Sequence, residues 1–178
     1  MTVTVNAFKM PWGWVGIVAS TQGLLGTTLP QATREQALAP LLERWPSAQE
    51  GTSPGIASLQ EKLQRYFAGE PVDFRDVLLD TRRATAFQLR VWDVVRGIPR
   101  GQVQSYAWVA AQAGSPQAAR AVGQAMASNP FPIVVPCHRV VGQDGGLTGF
   151  GGGLNMKRDL LRLEAGPMAA SPGLTSWE

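Results

Sequence analysis

The spacing of apolar residues changes along this chain, and each change marks an element. Residues 10–20 are rich in Trp, Val and Gly, Thr21-Gln22-Gly23 signals a turn, and residues 24–29 become apolar again. Short apolar runs bounded by turn residues predict β-structure over residues 1–30. Trp12 and Trp14 are two apart, which puts both on one face of a strand as core or sheet cover. From residue 33 the spacing is helical. Ala37, Leu38, Leu41, Leu42 and Trp45 form a stripe behind Thr33, an N-cap with Gln36 three residues on. Ser53-Pro54 opens a second helix, with Ile56, Leu59, Leu63, Tyr66 and Phe67 on one face and Gly69 as its stop. Residues 71–84 read as a connector with a domain boundary near residue 82. Strands followed by two helices predict a small α/β domain over 1–82.

The second half is helical up to one strand-like stretch. Thr85 caps a helix bearing Phe87, Leu89, Val91, Trp92, Val94 and Val95. After an extended step at Gln102-Val103-Gln104, Ser105 leads into a helix marked by Tyr106, Val109, Ala110 and Ala113 and closed by Gly114. Ser115-Pro116 reads as the start of the next helix, which runs to Ser128-Asn129-Pro130. Two short helices joined by a tight glycine-containing turn predict a helix-turn-helix. The second helix is packed with Ala and Gly around Arg120, a surface suited to close approach by another helix or by nucleic acid. Residues 133–141 form the strand-like run. A turn at 142–146 and a glycine-rich loop at 147–153 follow. That loop lacks a phosphate-cradle pattern and is suited to be a wall or lid against a flat ligand. A last helix over 154–164 carries Met156, Leu160, Leu161 and Leu163, and residues 166–178 read as a disordered tail.

Composition narrows the class. The 178 residues include one cysteine, which excludes internal disulfides and fits a reducing compartment. Without a Cys/His cluster no structural zinc is expected. There is no signal-peptide pattern and no apolar run of membrane-spanning length, so a cytoplasmic, soluble protein is expected. Charge is uneven. Residues 1–80 carry six Lys/Arg against eight Asp/Glu, and residues 81–178 carry ten against five. A basic half joined to an acidic half points either to a polyanion partner or to a solvated surface.

The candidate chemistry sits in the strand-like run. Cys137 and His138 are the only cysteine and the only histidine, side by side in Pro136-Cys137-His138-Arg139-Val140. Cysteine is a ready nucleophile and histidine a natural base near neutral pH. The alternative is a small buried cysteine beside a hydrogen-bonded histidine. Neighbours in a regular strand face opposite ways, so the pair forms a dyad only through a water or where the backbone turns. Pro136 favours such an irregular step. A histidine base needs an orienting group, and Glu164, at the end of an otherwise apolar helix, is the candidate.

Together these residues resemble the O6-alkylguanine-DNA alkyltransferase family. The likeness extends over residues 83–165. It is carried by Phe87-Gln88-Leu89-Arg90-Val91-Trp92, Ser105-Tyr106, Ala118-Ala119-Arg120-Ala121-Val122-Gly123, Asn129-Pro130, the Cys-His core and Leu147-Thr148-Gly149-Phe150-Gly151-Gly152. The resemblance implies a ribonuclease-H-like α/β domain (1–82) followed by a mostly helical, winged-helix-like DNA-binding and active-site domain (83–165).

It also implies repair by direct reversal, without a cofactor or metal. The alkyl group of O6-alkylguanine, and less efficiently of O4-alkylthymine, passes irreversibly to Cys137. By that likeness His138, acting through a water and held by Glu164, takes the thiol proton, and Asn129 bridges the helix-turn-helix to the active segment. Tyr106 helps rotate the nucleotide and protonates the leaving guanine, and Arg120 fills the vacated stack. Ser105, Ala119 and Ala121 meet DNA in the minor groove, and Met126, Pro132, Val140, Phe150 and Gly151 contact the extruded base. A monomer that can cluster on duplex DNA is expected. Two departures stand out. Phe150 lacks the hydroxyl that tyrosine supplies in some relatives, and the N-terminal zinc ligands of some members are missing. A Cys–His hydrolase and a non-catalytic lesion-sensing DNA binder remain the alternatives. The first leaves Arg120 and the basic half unexplained, and the second has no need of Cys137.

Overall fold

Strands β1 (Val3–Met10), β2 (Gly13–Ser20) and β3 (Gly23–Thr27) pair antiparallel, and α1 (Arg34–Arg44) brings the chain back to β4 (Gln49–Glu50), which runs parallel to β1. The sheet order is β3-β2-β1-β4. The structure is a computed structural model and describes residues 1–166, in two compact units: 1–82 with 130–134, and 83–129 with the rest from 135 onward. The predicted tail lies outside the described residues except for Gly166. Among the described residues the protein is mixed α/β, with six α-helices and a small sheet, and no helix is long and apolar enough to cross a membrane.

In the first unit, Val3, Val5 and Ala7 alternate inward from β1, as a half-buried strand requires. They pack with Val18 and Leu25 against Ala37, Leu38 and Leu41 of α1 and against Trp45, the residue that follows it. Helix α1 can lie this close because Gly16 has no side chain, since a Cβ there would sit 2.5 Å from the Ala37 carbonyl oxygen. Helix α2 (Pro54–Phe67) buries Ile56, Leu59, Leu63, Tyr66 and Phe67. Both helix starts follow from sequence. Thr33 and Gln36 form a reciprocal capping box, and the Ser53 side chain accepts from Ile56 N–H before Pro54. Trp12 departs from the strand-face expectation. It lies in the Pro11-Trp12 turn between β1 and β2, its ring 5.3 Å from that of Phe67, and only Trp14 is on a strand. The connector is also more than a linker, since Leu24 N–H donates to Leu78 and Asp80 N–H to Leu24, adding a parallel bridge to β3.

The second unit begins with α3 (Ala86–Arg96), whose Thr85/Gln88 capping box is present and whose Val91, Trp92 and Val95 are buried. After β5 (Gln104–Ser105) comes α4 (Tyr106–Gln112), capped by Ser105. Helix α4 ends in a Schellman motif. Gly114 adopts φ 81, its N–H donates to Ala111, and Ser115 N–H donates to Ala110. Helix α5 (Ala119–Ala127) therefore starts later than Ser115-Pro116 predicted. Ser115 closes α4, Ala118 N–H then donates to Ser115, and Ala118 caps α5 without a side-chain bond. Helices α3, α4 and α5 pack on one another, and the Trp92 indole N–H donates to Ala125 at 3.1 Å. Strand β6 (Val140–Val141) pairs parallel with β5, and α6 (Leu154–Ala165) closes the unit.

Candidate active site

The stretch around Cys137 is not a strand. Pro136, at φ −78 and ψ 68, makes an inverse γ-turn in which Cys137 N–H donates to Val135 at 2.7 Å. Cys137–Arg139 then forms one 3-10 turn, with Arg139 N–H donating to Pro136 at 2.9 Å, before the chain extends into β6. The proline that fixes φ thus bends the backbone at the cysteine. Strand-like alternation fails for that reason, and Cys137, His138 and Arg139 are all buried.

His138 is fully buried, and its Nε2 lies 2.6 Å from Glu164 Oε1. Arg139, the next residue, meets the same carboxylate twice, through Nε to Oε2 at 2.9 Å and Nη2 to Oε1 at 2.8 Å. Its Nη1 donates to the Ile98 carbonyl at 2.6 Å. Burial alone would push the Glu164 carboxyl up, but His138 and Arg139 outweigh it and hold the group well below the usual carboxylate range. An ionised Glu164 accepts, so Nε2 carries the proton and Nδ1 presents a lone pair. Nδ1 is buried and has no partner among the described residues, which leaves it free to act as a base.

Burial pushes the Cys137 thiol up from its ordinary value, against smaller opposing effects from a hydrogen bond with Asn129 and the charge of Lys157. The resting group is therefore the thiol, and a base is needed to activate it. Asn129 Nδ2 also donates to the Val135 carbonyl at 3.0 Å. The residue just past α5 is thereby tied to the γ-turn that presents Cys137. Lys157 is fully buried on α6, and its Nζ donates to the carbonyls of Val140 at 2.6 Å and Thr148 at 2.9 Å.

The other expected residues lie as follows. Ser105 caps α4 and Tyr106 begins it, half-buried, its hydroxyl oxygen accepting from Thr148 at 3.3 Å. Arg120 is exposed on α5, flanked by half-buried Ala119 and Ala121. Met126 is buried on the inner side of α5, Val140 is buried in β6, Phe150 is half-buried and Gly151 exposed in the loop. Pro132 belongs by its contacts to the first unit, where its carbonyl accepts from the Thr27 hydroxyl. Next to it, Ile133 holds φ 73, a strained conformation for a β-branched residue.

Two members of the site escaped the sequence reading. Arg139 counted there as one of the basic-half charges, yet it is spent internally on Glu164. Lys157 stands in no chemical motif, although Lys157, Leu160, Leu161 and Glu164 follow the i, i+3, i+4, i+7 spacing of one helix face. That spacing was the available signal. The face is polar at both ends, whereas Met156 and Leu163 flank it only half-buried.

The chain is similar to several known proteins. A family model described as 6-O-methylguanine DNA methyltransferase, DNA binding domain, matches residues 86–166. A methylated-DNA–protein-cysteine methyltransferase of Mycobacterium bovis is 56% identical over 104 residues, 58% of this chain and 62% of that protein. Its counterpart in Salmonella typhimurium is 51% identical over 113 residues, 64% of each. The matched stretch thus spans a little under two thirds of these curated relatives. Over nearly the whole chain, the crystal structure of the O6-methylguanine methyltransferase of Mycobacterium tuberculosis superposes with a TM-score of 0.77 at 39% identity, covering 98% of this chain and 99% of that one. The OGT of the same organism in complex with DNA gives 0.74 at 38% identity, covering 97% and 99%.

Proposed function

The chain belongs to the methylated-DNA–protein-cysteine methyltransferase family, and from that premise we propose that it repairs O6-alkylguanine in duplex DNA by moving the alkyl group onto Cys137. The observation that carries this reading is the arrangement on one 3-10 turn. A buried neutral thiol is followed by a histidine whose Nε2 is held by ionised Glu164 and whose Nδ1 is free. In the proposed reaction His138 Nδ1 takes the thiol proton through a water, and the thiolate attacks the alkyl carbon. The S–C bond forms as the C–O6 bond breaks, and the electron pair passes to guanine, which Tyr106 protonates. The thioether has no route back to the thiol, so each molecule reacts once.

Duplex DNA hides O6, so the base must leave the stack first. The exposed Arg120 between Ala119 and Ala121 on α5, and Tyr106 at the start of α4, support a helix-turn-helix laid in the minor groove, with Arg120 filling the gap. Val140, Met126, Phe150 and Gly151 would line the base pocket, and O4-alkylthymine would react less well. The sheet order β3-β2-β1-β4, with only β4 parallel to its neighbour, supports the ribonuclease-H-like reading of the first unit, and α3 to α6 with the β5–β6 pair the winged-helix-like reading of the second. A cytoplasmic monomer that clusters on DNA completes the proposal.

Intact-mass analysis after mixing with duplex DNA bearing one O6-methylguanine tests it. One methyl group on Cys137, at one equivalent, is the expected result, lost in Cys137→Ala. Regenerated free Cys137 with multiple turnovers would instead indicate a hydrolase, and binding with unchanged mass a lesion sensor.

A further inference from the structure

Lys157 is a fully buried cation, and among the described residues no carboxylate forms an ion pair with it. A buried charge without a counter-charge is costly and persists where something else requires it. Two of its hydrogen bonds show part of the reason. One goes to the Val140 carbonyl in β6, directly after the Cys137–Arg139 turn, and the other to the Thr148 carbonyl in the glycine-rich loop. The loop has a second tie, from the Thr148 hydroxyl to the Tyr106 hydroxyl, and Nζ lies 5.9 Å from the centre of the Tyr106 ring. One ammonium therefore spans the strand after the cysteine, the loop and the start of α4.

We infer that Lys157 is a positioning residue of the acceptor site, holding the 147–153 loop to β6 and supplying the positive charge that meets the Cys137 thiolate when it forms. The inference rests on the reading of Cys137 as the alkyl acceptor. The missing counter-charge is then the sulfur itself, present only once the thiol has lost its proton. The two groups are coupled in both directions. Burial pulls the lysine down to about 8, with the cysteine opposing that, and the lysine opposes the upward push on the thiol. The other ionisable groups near the pair are His138 and Arg139 on the turn, Glu164 on α6 and Tyr106 on α4. Glu164 is already committed to His138 and Arg139.

Since Cys137 is the only cysteine, its alkylation by iodoacetamide reports the thiolate without any DNA. Rates measured from about pH 6 to about pH 10 bracket the ordinary thiol value near 8.5. Lys157→Met is expected to raise the midpoint by about one unit, to slow methyl transfer roughly tenfold and to speed hydrogen exchange in residues 142–153. Lys157→Arg is expected to restore the midpoint more than the loop protection. A folded Lys157→Met protein with an unchanged midpoint and unchanged loop exchange would overturn the inference. A second measurement needs no variant. In wild-type protein labelled at lysine Cε, the Lys157 midpoint is expected to fall once Cys137 is capped, and an unmoved midpoint would likewise overturn it. A wild-type protein that accepts no methyl group yet shows these thiol shifts would sink the proposed function and leave the electrostatic link standing.

Discussion

Arg139 and His138, adjacent on one 3-10 turn, share the carboxylate of Glu164, with Arg139 at 2.8 and 2.9 Å and His138 at 2.6 Å. The guanidinium does more than add a contact. With Arg139 and Glu164 both ionised the cluster is neutral at rest, and it gains one charge when His138 accepts a proton. Arg139 thus keeps Glu164 ionised and fixed for His138 while claiming part of its charge. Glu164→Gln would leave a buried guanidinium without its partner, which costs about 3–5 kcal/mol. Urea denaturation at neutral pH is expected to show a loss of that order, with slowed methyl transfer in the fraction that folds. A loss below about 1 kcal/mol would mean that the cluster does not hold the fold.

The same carboxylate sets an acid limit on stability. Its folded-state pKa lies well below the ordinary value, so its contribution is fully present above about pH 4.3 and drains away as pH falls from there toward the folded value. Asp80, bound by Arg82 and Ser20 in the first unit and also held low, loses its contribution in the same window. Subtracting the Glu164→Gln stability from that of wild type removes the Asp80 effect. Below about pH 4 that difference is expected to shrink, as the Glu164 carboxylate takes up its proton. A difference that grew below about pH 4 would reverse the assigned sign.

Much of the fold was legible because local chemistry and tertiary packing agree. Thr33 with Gln36, Ser53 with Pro54 and Thr85 with Gln88 mark helix starts that the structure uses. Strand β4 was not legible, since two exposed residues, Gln49 and Glu50, count as a strand only through pairing with β1. The late start of α5 was hidden because Ser115-Pro116 looks like a cap and first turn, while the Ser115 N–H is already used to close α4. In the site, Cys137, His138 and Glu164 were found by residue type. Arg139 and Lys157 were not, because a charged residue in sequence reads as surface until packing shows otherwise. Pro136 implies a bend at Cys137, but not its form, a γ-turn leading into a 3-10 turn that Asn129 meets at the Val135 carbonyl from six residues away.

Arg120→Ala tests the proposed DNA handling apart from the chemistry. Arg120 is exposed on α5 and takes no part in the hydrogen bonds described around Cys137 and His138. If it holds the stack open, Arg120→Ala should slow repair of duplex O6-methylguanine strongly and reaction with free O6-alkylguanine base little, because the free base needs no extrusion. Single-turnover rates on the two substrates measure this. Equal losses on both would remove the stack-filling role.

Asn129 ties the end of α5 to the cysteine turn, and its loss is expected to be felt in both DNA handling and methyl transfer. Its side chain donates to the Val135 carbonyl that also accepts from Cys137 N–H, and it hydrogen-bonds the thiol. Removing it leaves the buried carbonyl with fewer donors, at about 1–3 kcal/mol, and deletes one of the effects that oppose burial at the sulfur. Asn129→Ala should therefore raise the midpoint of iodoacetamide alkylation and slow methyl transfer even from free base, unlike Arg120→Ala. Asn129→Asp offers a sharper comparison. A carboxylate supplies no donor to Val135 and sets a negative charge beside the thiol, so its midpoint should lie above that of the alanine variant. If Asn129→Asp instead reacted faster than Asn129→Ala, the amide would not be acting as a hydrogen-bond donor, and its link between α5 and the cysteine turn would be packing alone.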